Sequence, residues 1–198
     1  VSGLLVGLNL LLLDTVAIYP FIVLFVVGWL SFKWFFVPAI SKNLLLALIT
    51  HNPLAILQIG YIFGIFATIE GVDQLSWNNV YLMIGLWLPV AAWETSRKIR
   101  LPEDETEYQT YSSMLGWRTA VFMPFIFTII SASSLSFLVL DGVFSSWFLV
   151  VLLCAAFVVV FRCVLLWVSP KSERTNLKPF VEAYVLVVNL SLIGASFI

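Results

Sequence analysis

The sequence predicts an all-α fold, a polytopic transmembrane helical bundle. Of its 198 residues, 62% are hydrophobic and 11% are charged, and the mean hydropathy is +1.06. This composition leaves too little polar surface for a water-soluble domain. The apolar runs reach the roughly 20 residues that a helix needs to cross a hydrocarbon core. Because apolar and polar residues do not alternate as in barrel strands, helices are expected to satisfy the backbone hydrogen bonds.

Seven apolar segments predict about seven spans. They cover residues 1–13, 16–36, 44–69, 80–93, 118–140, 147–168 and 180–198. The first is short for a full crossing, and the breaks carry turn-forming Asp, Asn, Gly and Pro residues. No repeat or low-complexity linker divides them, so we expect a single transmembrane domain over residues 1–198. Since the chain begins inside an apolar run, without a methionine or a basic region, we expect it to be the C-terminal part of a longer protein.

Charge placement predicts the orientation. Alternating the seven spans across a membrane places all the basic residues on one side, namely Lys33, Lys42, Arg97, Lys98, Arg100, Arg118, Arg162, Lys171, Arg174 and Lys178. The breaks on the other side carry Asp14, Glu70, Asp73 and Asp141. By the positive-inside rule the basic side is cytoplasmic. The C-terminus is then expected outside.

The longest polar stretch lies between the fourth and fifth predicted spans. We call residues 94–117, ETSRKIRLPEDETEYQTYSSMLGW, the charged passage. Its acidic side chains are Glu94, Glu103, Asp104, Glu105 and Glu107, and its first cations are Arg97, Lys98 and Arg100. Because the chain has few other charges, this predicted cytoplasmic loop is the first candidate for chemistry.

The charged passage resembles the loop between the sixth and seventh helices of UbiA-type intramembrane prenyltransferases. In that loop an acidic cluster closes one helix and leads to a threonine and, six residues later, a glycine. Thr110 and Gly116 hold those places, and the run E-x-x-R-K-I-R-x-P-E-D-E is similar to a divergent bacterial branch. Four predicted spans precede the passage and three follow it. The chain would then correspond to helices three to nine of the nine-helix fold, without the first aspartate-rich motif.

The resemblance implies transfer of a polyprenyl group from its diphosphate to a lipophilic or aromatic acceptor, with Mg²⁺ as cofactor. In the family, acidic clusters hold magnesium ions that neutralise the diphosphate, and Mg²⁺ is commonly shared between carboxylates and phosphates. The implied metal ligands are Glu94, Glu103, Asp104 and Glu105. The implied diphosphate-binding residues are Arg97, Lys98, Arg100 and Arg162, whose charges suit phosphate oxygens. The implied location is the bacterial inner membrane.

The passage departs from the family pattern, and this leaves an alternative open. Lys98 stands four residues after Glu94, where a second acid would be usual, and the other acids arrive only after Pro102. Glu94 with Arg97 or Lys98 also has the spacing of a helix-surface ion pair, and Pro102 with the acids after it is typical of a helix start. The alternative function is a non-catalytic accessory or structural membrane subunit derived from that fold.

Three further side chains are candidates for the site: His51, Tyr111 and Glu182. The lone histidine is expected mainly to cap or pack a helix beside Pro53, with acceptor binding or proton transfer as the alternative. Arg162 and Glu182 lie inside predicted spans, where charges normally pair, so we expect them to pair across their hairpin.

The expected partners are membrane lipids, together with a prenyl diphosphate and a lipophilic acceptor if the chain is an enzyme. A membrane protein partner or a second copy is an open alternative, and no nucleic acid is expected. The pattern Gly60-x-x-x-Gly64 predicts a close helix contact. Cys154 and Cys163 share one apolar run and indicate neither a disulfide framework nor a zinc site.

Overall fold

The predicted all-α class is confirmed. A computed structural model describes residues 2–13, 15–35, 37–71 and 76–195, and every regular element in these ranges is helical. The α-helices are α1 (Ser2–Leu12), α2 (Thr15–Phe35), α3 (Pro38–Ser41), α4 (Leu44–His51), α5 (Pro53–Glu70), α6 (Trp77–Ser96), α7 (Tyr111–Leu115), α8 (Trp117–Leu140), α9 (Ser146–Val168) and α10 (Lys178–Ala195). Pro102–Asp104 and Ser172–Arg174 form single 3-10 turns.

Within the described ranges, five segments are long and apolar enough to cross a membrane. They are Thr15–Lys33, Leu44–Glu70, Trp117–Leu140, Ser146–Val168 and Ser172–Ala195. This finding fits an integral membrane protein. The other two predicted spans correspond to α1, whose 11 residues rise only about 16 Å, and to α6, which carries polar residues at both ends. The count of seven spans therefore stays a prediction.

The boundaries of α4 and α5 are set by Asn43, Pro53 and Gly71. The Asn43 side chain accepts hydrogen bonds from the backbone N–H groups of Leu45 and Leu46, at 3.0 and 3.2 Å, and so caps α4. Pro53 begins α5 because its missing N–H is not needed in the first turn. α5 ends at Gly71, whose φ of 67° is a left-handed conformation that glycine adopts without a Cβ clash.

The chain divides into two compact units, Val1–Met83 and Ile84–Ile198. In the first unit, α2 and α5 approach closely at Gly64. A Cβ atom there would lie 2.9 Å from the Cα atom of Ala17 and 3.0 Å from the carbonyl oxygen of Val16. The close helix contact predicted from the glycine pattern is thus confirmed at Gly64. Ser31 adds a hydrogen bond from its hydroxyl to the carbonyl of Thr50, at 2.8 Å.

The second unit has a buried core in which polar atoms join three helices. The Ser131 hydroxyl of α8 donates to the carbonyl oxygen of Gly85 in α6 at 2.7 Å and lies 2.9 Å from the Tyr184 hydroxyl of α10. A Cβ at Gly85 would lie 2.5 Å from the side chain of Leu135, so α6 and α8 are in close contact. The largest buried side chains of this core include Leu135, Leu138, Phe148, Leu152, Leu166, Val181, Tyr184 and Val188.

Candidate functional site

The charged passage begins with a local ion-pair cluster at the end of α6. The Glu94 carboxylate lies 2.8 Å from the Lys98 ammonium and 3.5 Å from Nε of Arg97. These contacts confirm the helix-surface ion pairs that the spacing predicts. The Arg97 guanidinium also stacks on Trp93, with 4.8 Å between Cζ and the ring centroid. Glu94 is therefore already neutralised by two cations.

Backbone and side-chain hydrogen bonds bring the two ends of the passage together. The Tyr111 N–H donates to the Lys98 carbonyl at 3.0 Å, and the Arg100 N–H donates to the Ser112 hydroxyl at 2.8 Å. The Tyr111 ring is buried, with the Lys98 ammonium 5.9 Å from its centroid. Burial raises the pKa of the Tyr111 phenol above its usual range, and Glu94 raises it further. Tyr111, a candidate site residue, therefore acts as a packed anchor of the passage.

Thr110, one of the two residues that carry the family resemblance, caps α7. Its hydroxyl accepts from the Ser113 N–H at 3.0 Å, while the Ser113 hydroxyl accepts from the Thr110 N–H at 3.1 Å. The Thr110 hydroxyl also lies 2.8 Å from both carboxylate oxygens of Glu105. Gly116 ends α7 at a φ of 79°. Both residues thus have clear structural roles at the boundaries of a short helix.

Asp104 ties the passage to the turn between α9 and α10. Its carboxylate accepts a hydrogen bond from the Ser172 hydroxyl. Arg100 stabilises the same stretch, since its Nη1 donates to the Thr106 hydroxyl at 2.9 Å and contacts the Asp104 carbonyl at 3.4 Å. Pro102, which the sequence predicts to start a helix, starts only a single 3-10 turn.

The four predicted metal ligands lie in separate surroundings. Glu94 pairs with cations, Glu105 binds the α7 cap, Asp104 binds Ser172, and Glu103 is exposed. Throughout the described ranges, no group of three or more His, Cys, Asp or Glu side chains could hold a metal ion. Magnesium needs oxygen ligands in a tight octahedral shell, and this arrangement does not fit it. The magnesium role of these carboxylates stays a prediction without structural support.

A pocket of about 410 Å³ brings cationic and hydroxyl groups together beside the passage. We call it the cation pocket, and its lining residues are Ser96, Arg97, Ile99, Arg100, Asp104, Ser172, Thr175, Asn176 and Lys178. Three of these side chains are cationic and one is a carboxylate, so the lining residues themselves carry an excess of positive charge. Two of the cations, Arg97 and Lys178, also pair with Glu94 and Glu182 outside the lining. Such a surface attracts anions, and arginine suits phosphate oxygens in particular.

The cation pocket contains only part of the predicted diphosphate-binding set. Arg97 and Arg100 line it, whereas Lys98 contacts Glu94 and Tyr111 instead. Arg162 is not among its lining residues. Sequence reasoning missed Lys178 as a member of this site, together with the hydroxyls of the turn before it. The available signal was the predicted placement of Lys178 on the same side of the membrane as the charged passage.

The expected ion pair between Arg162 and Glu182 is wrong. The Arg162 guanidinium stacks on Phe180 at 4.3 Å from the ring centroid, and its Nε atom is buried without a hydrogen-bond partner. Glu182 instead accepts from Nε1 of Trp93 at 2.9 Å and lies 3.5 Å from the Lys178 ammonium. An i, i+4 lysine on the same helix reaches this carboxylate more easily than an arginine on the neighbouring helix.

His51 belongs to the first unit, where it ends α4. Its Nδ1 lies 3.0 Å from the Ala47 carbonyl oxygen and 2.8 Å from the Thr50 hydroxyl. These contacts fit the predicted capping role at the break before Pro53. Acceptor binding or proton transfer by His51 stays a prediction.

No protein-family model, no curated protein and no solved structure matches this chain. The cation pocket is the feature of the second unit whose chemistry points to a ligand. Its cations come from both the charged passage and the start of α10.

Proposed function

We propose that this chain is an integral membrane protein that binds the diphosphate group of an isoprenoid lipid. The observation that carries the proposal is the convergence of Arg97, Arg100 and Lys178 around the cation pocket. Guanidinium and ammonium groups form charge-assisted hydrogen bonds with phosphate oxygens. The hydroxyls of Ser172 and Thr175 belong to the same lining, but they already donate to Asp104 and to the Ser172 carbonyl.

The two arginines are held in place before a ligand arrives. Arg97 stacks on Trp93, and Arg100 bonds to the Thr106 hydroxyl, so each guanidinium loses little freedom on binding. Preorganised groups of this kind gain affinity by lowering the entropic cost of binding. Lys178 is about half exposed and pairs with Glu182 at 3.5 Å. It can turn its ammonium toward a phosphate at small cost, because exposed ion pairs contribute little.

The isoprenoid identity of the ligand comes from the UbiA resemblance. On this proposal the chain corresponds to helices three to nine of that fold and has seven spans in the bacterial inner membrane. The charged passage then faces the cytoplasm, in agreement with the positive-inside rule. The cation pocket would lie at that membrane surface, where the head group of an amphiphile is found.

Binding without transfer is the form of the function that we favour. Mg²⁺-dependent prenyl transfer to a lipophilic acceptor needs carboxylates that converge on the diphosphate. In this chain Glu94 is paired with Lys98 and Arg97, and Glu105 is engaged at the cap of α7. This observation supports the non-catalytic alternative, an accessory membrane subunit that holds the lipid and acts with a protein partner or a second copy.

Titration of geranyl diphosphate into the protein in lipid nanodiscs tests the proposal, with Mg²⁺ in one series and EDTA in the other. Arg100→Gln and Lys178→Gln should each weaken binding about tenfold in both series, since one charge-assisted hydrogen bond contributes about 1.5–3 kcal/mol. Lys171→Gln is the matched control, because Lys171 is exposed and is not part of the pocket lining. If neither pocket substitution changes the affinity for geranyl diphosphate, the proposal is refuted.

Asp104→Asn separates the binding protein from the Mg²⁺-dependent enzyme. The asparagine oxygen can still accept from Ser172, while the negative charge in the pocket lining is removed. Affinity in EDTA should therefore rise severalfold, because a like charge beside the diphosphate is lost. If Asp104 is a magnesium ligand, affinity with Mg²⁺ should fall instead. Formation of prenylated product by the unchanged protein would favour the transferase.

A further inference from the structure

An apolar groove of about 290 Å³ opens on the surface of the second unit. Its lining residues are Val90 and Trp93 of α6 and Glu182, Val185 and Leu186 of α10. Leu186 is 60% exposed and Val90 is 38% exposed. We call it the α6/α10 groove. Its one charged side chain lies at the end nearest the start of α10.

Two side-chain contacts connect the α6/α10 groove to the cation pocket, and a third joins their two groove residues. Arg97, which lines the pocket, stacks on Trp93, which lines the groove, at 4.8 Å. Lys178 lines the pocket and lies 3.5 Å from Glu182 of the groove. Trp93 and Glu182 complete the connection with a hydrogen bond of 2.9 Å. The pocket and the groove therefore share one boundary.

We infer that the two cavities form one site for a single-chain amphiphile, with the diphosphate in the cation pocket and the isoprenoid chain along the α6/α10 groove. This inference rests on the proposed function and adds where the lipid chain lies. The order of the lining residues fits such a ligand, because cations face the head group and aliphatic side chains face the tail. Glu182 is tolerated at the boundary since its side chain is about half exposed and accepts a hydrogen bond from the Trp93 N–H.

A second groove shows why adjacency to the cations decides the assignment. A larger cavity of about 560 Å³ lies between the later part of α8 and α9, lined by residues such as Ser136, Leu140 and Val160. No charged side chain is among its lining residues. It offers an apolar surface to a chain but no partner for a diphosphate. It therefore serves as the control site.

The groove mainly fixes where the isoprenoid chain lies and adds little to the affinity for the ligand. Lipid tails are as apolar as the groove, so a chain that leaves the bilayer gains packing contacts but little hydrophobic free energy. A longer chain also concentrates in the bilayer without any groove. Chain length alone is therefore a poor test, and the informative comparison is one ligand against a groove variant and a control variant.

Val185→Trp fills the α6/α10 groove, and Val160→Trp makes the same change in the control groove. Each variant in nanodiscs is titrated with inorganic diphosphate and with geranyl diphosphate. We expect Val185→Trp to weaken geranyl diphosphate severalfold, by the loss of packing contacts in the groove, and to leave inorganic diphosphate within twofold, because only the chain is displaced. Val160→Trp should change neither. Unchanged geranyl diphosphate binding by Val185→Trp would overturn the groove assignment while the head-group site stands.

Three results separate failure of the groove assignment from failure of the proposed function. Absence of inorganic diphosphate binding to the unchanged protein would refute the proposed function itself. A geranyl diphosphate analogue with a photoreactive group at the chain end should label the stretch around Val90 or Leu186. Labelling around Leu140 would overturn the inference without requiring any substitution. Equal competition by phosphatidic acid would overturn the single-chain ligand, since two acyl chains exceed what the α6/α10 groove offers.

Discussion

The two units of the chain are similarly apolar but differ in how their helices are held. Among residues whose side chains the structure describes, the first unit buries only Ala17, Ser31, Leu44 and Gly64. The second unit buries large side chains on α8, α9 and α10, together with Thr95, Thr128 and Ser134. Helices in lipid gain no hydrophobic free energy by associating, so small residues and polar contacts govern their packing. Hydropathy therefore gives both units the character of membrane-spanning helices and does not distinguish the unit that contains the cation pocket.

Polar contacts between helices occur in both units but differ in arrangement. Ser131 connects three helices of the second unit through Gly85 and Tyr184. In the first unit two separate contacts each join two helices: Ser31 connects α2 to α4, and the Tyr61 hydroxyl of α5 donates to Asn9 of α1. A unit held by such a junction offers a rigid frame for the cation pocket. The following substitutions test this difference.

Gly85→Val should have the largest effect on stability. Its first side-chain atom would lie 2.5 Å from Leu135, and overpacking of this kind costs about 1–3 kcal/mol. The free energy of unfolding in mixed micelles, titrated with SDS, measures the loss. Gly7→Val in the first unit is the matched control, because no neighbouring atom lies within 4 Å of its added Cβ. Equal losses in both variants would contradict the close packing of α6 on α8.

Ser131→Ala should cost about 1–2 kcal/mol in the same assay. It removes the donor to Gly85 and leaves the buried Tyr184 hydroxyl without that partner. The control is Ser136→Ala, whose hydroxyl donates to Ala132 within its own helix at 2.7 Å. A loss no greater than that of the control would mean that the junction does not hold the second unit.

Ser31→Ala, the counterpart in the first unit, should cost only about 0.6 kcal/mol, the average for an interhelical hydrogen bond in a membrane. It removes a single contact to the Thr50 carbonyl. Thr68→Val is the control, since Thr68 donates within α5 to the carbonyl of Gly64. A cost above that of Ser131→Ala would reverse the comparison between the units.

Lys98→Gln should have the smallest effect on stability, about 0.3–0.5 kcal/mol, because it removes one i, i+4 ion pair. Binding of Mg²⁺ gives the sharper measurement. If Lys98 is what prevents Glu94 from holding a metal, the variant should bind Mg²⁺ more tightly than the unchanged protein. Lys171→Gln is the control. Equal Mg²⁺ binding by the unchanged protein and both variants would mean that Glu94 is a structural residue and not a metal ligand blocked by Lys98.

Much of the helical pattern was predictable from the sequence. The predicted segment 118–140 corresponds to Trp117–Leu140, and 147–168 corresponds to Ser146–Val168. Long apolar runs bounded by proline, glycine, asparagine or charges leave few alternatives for a chain in lipid. Predicted residues 196–198 lie outside the described ranges. The segment 80–93 was too short at both ends, because Trp77–Asn79 and Glu94–Ser96 continue α6 with polar residues.

The candidate site was less predictable, because it depends on contacts between distant parts of the chain. The i, i+4 pairing of Glu94 with Lys98 follows from helical spacing and was predicted. The bond between Asp104 and Ser172 spans 68 residues, and no periodicity indicates it. Glu182 was expected to pair with Arg162, and only the packing of α10 beside α6 selects Trp93. Tertiary placement rather than residue type therefore defines the cation pocket.

The paired ends of the charged passage have a practical consequence. Hydrogen bonds from Tyr111 to Lys98 and from Arg100 to Ser112 close the segment at its base. Glu107 and Tyr108 are exposed at its tip. A compact loop whose ends are fastened tolerates nicking or insertion at its tip. A protease site or a small epitope placed between Glu107 and Tyr108 would therefore report from which face of the membrane the loop is reached, and both halves would stay assembled after cleavage.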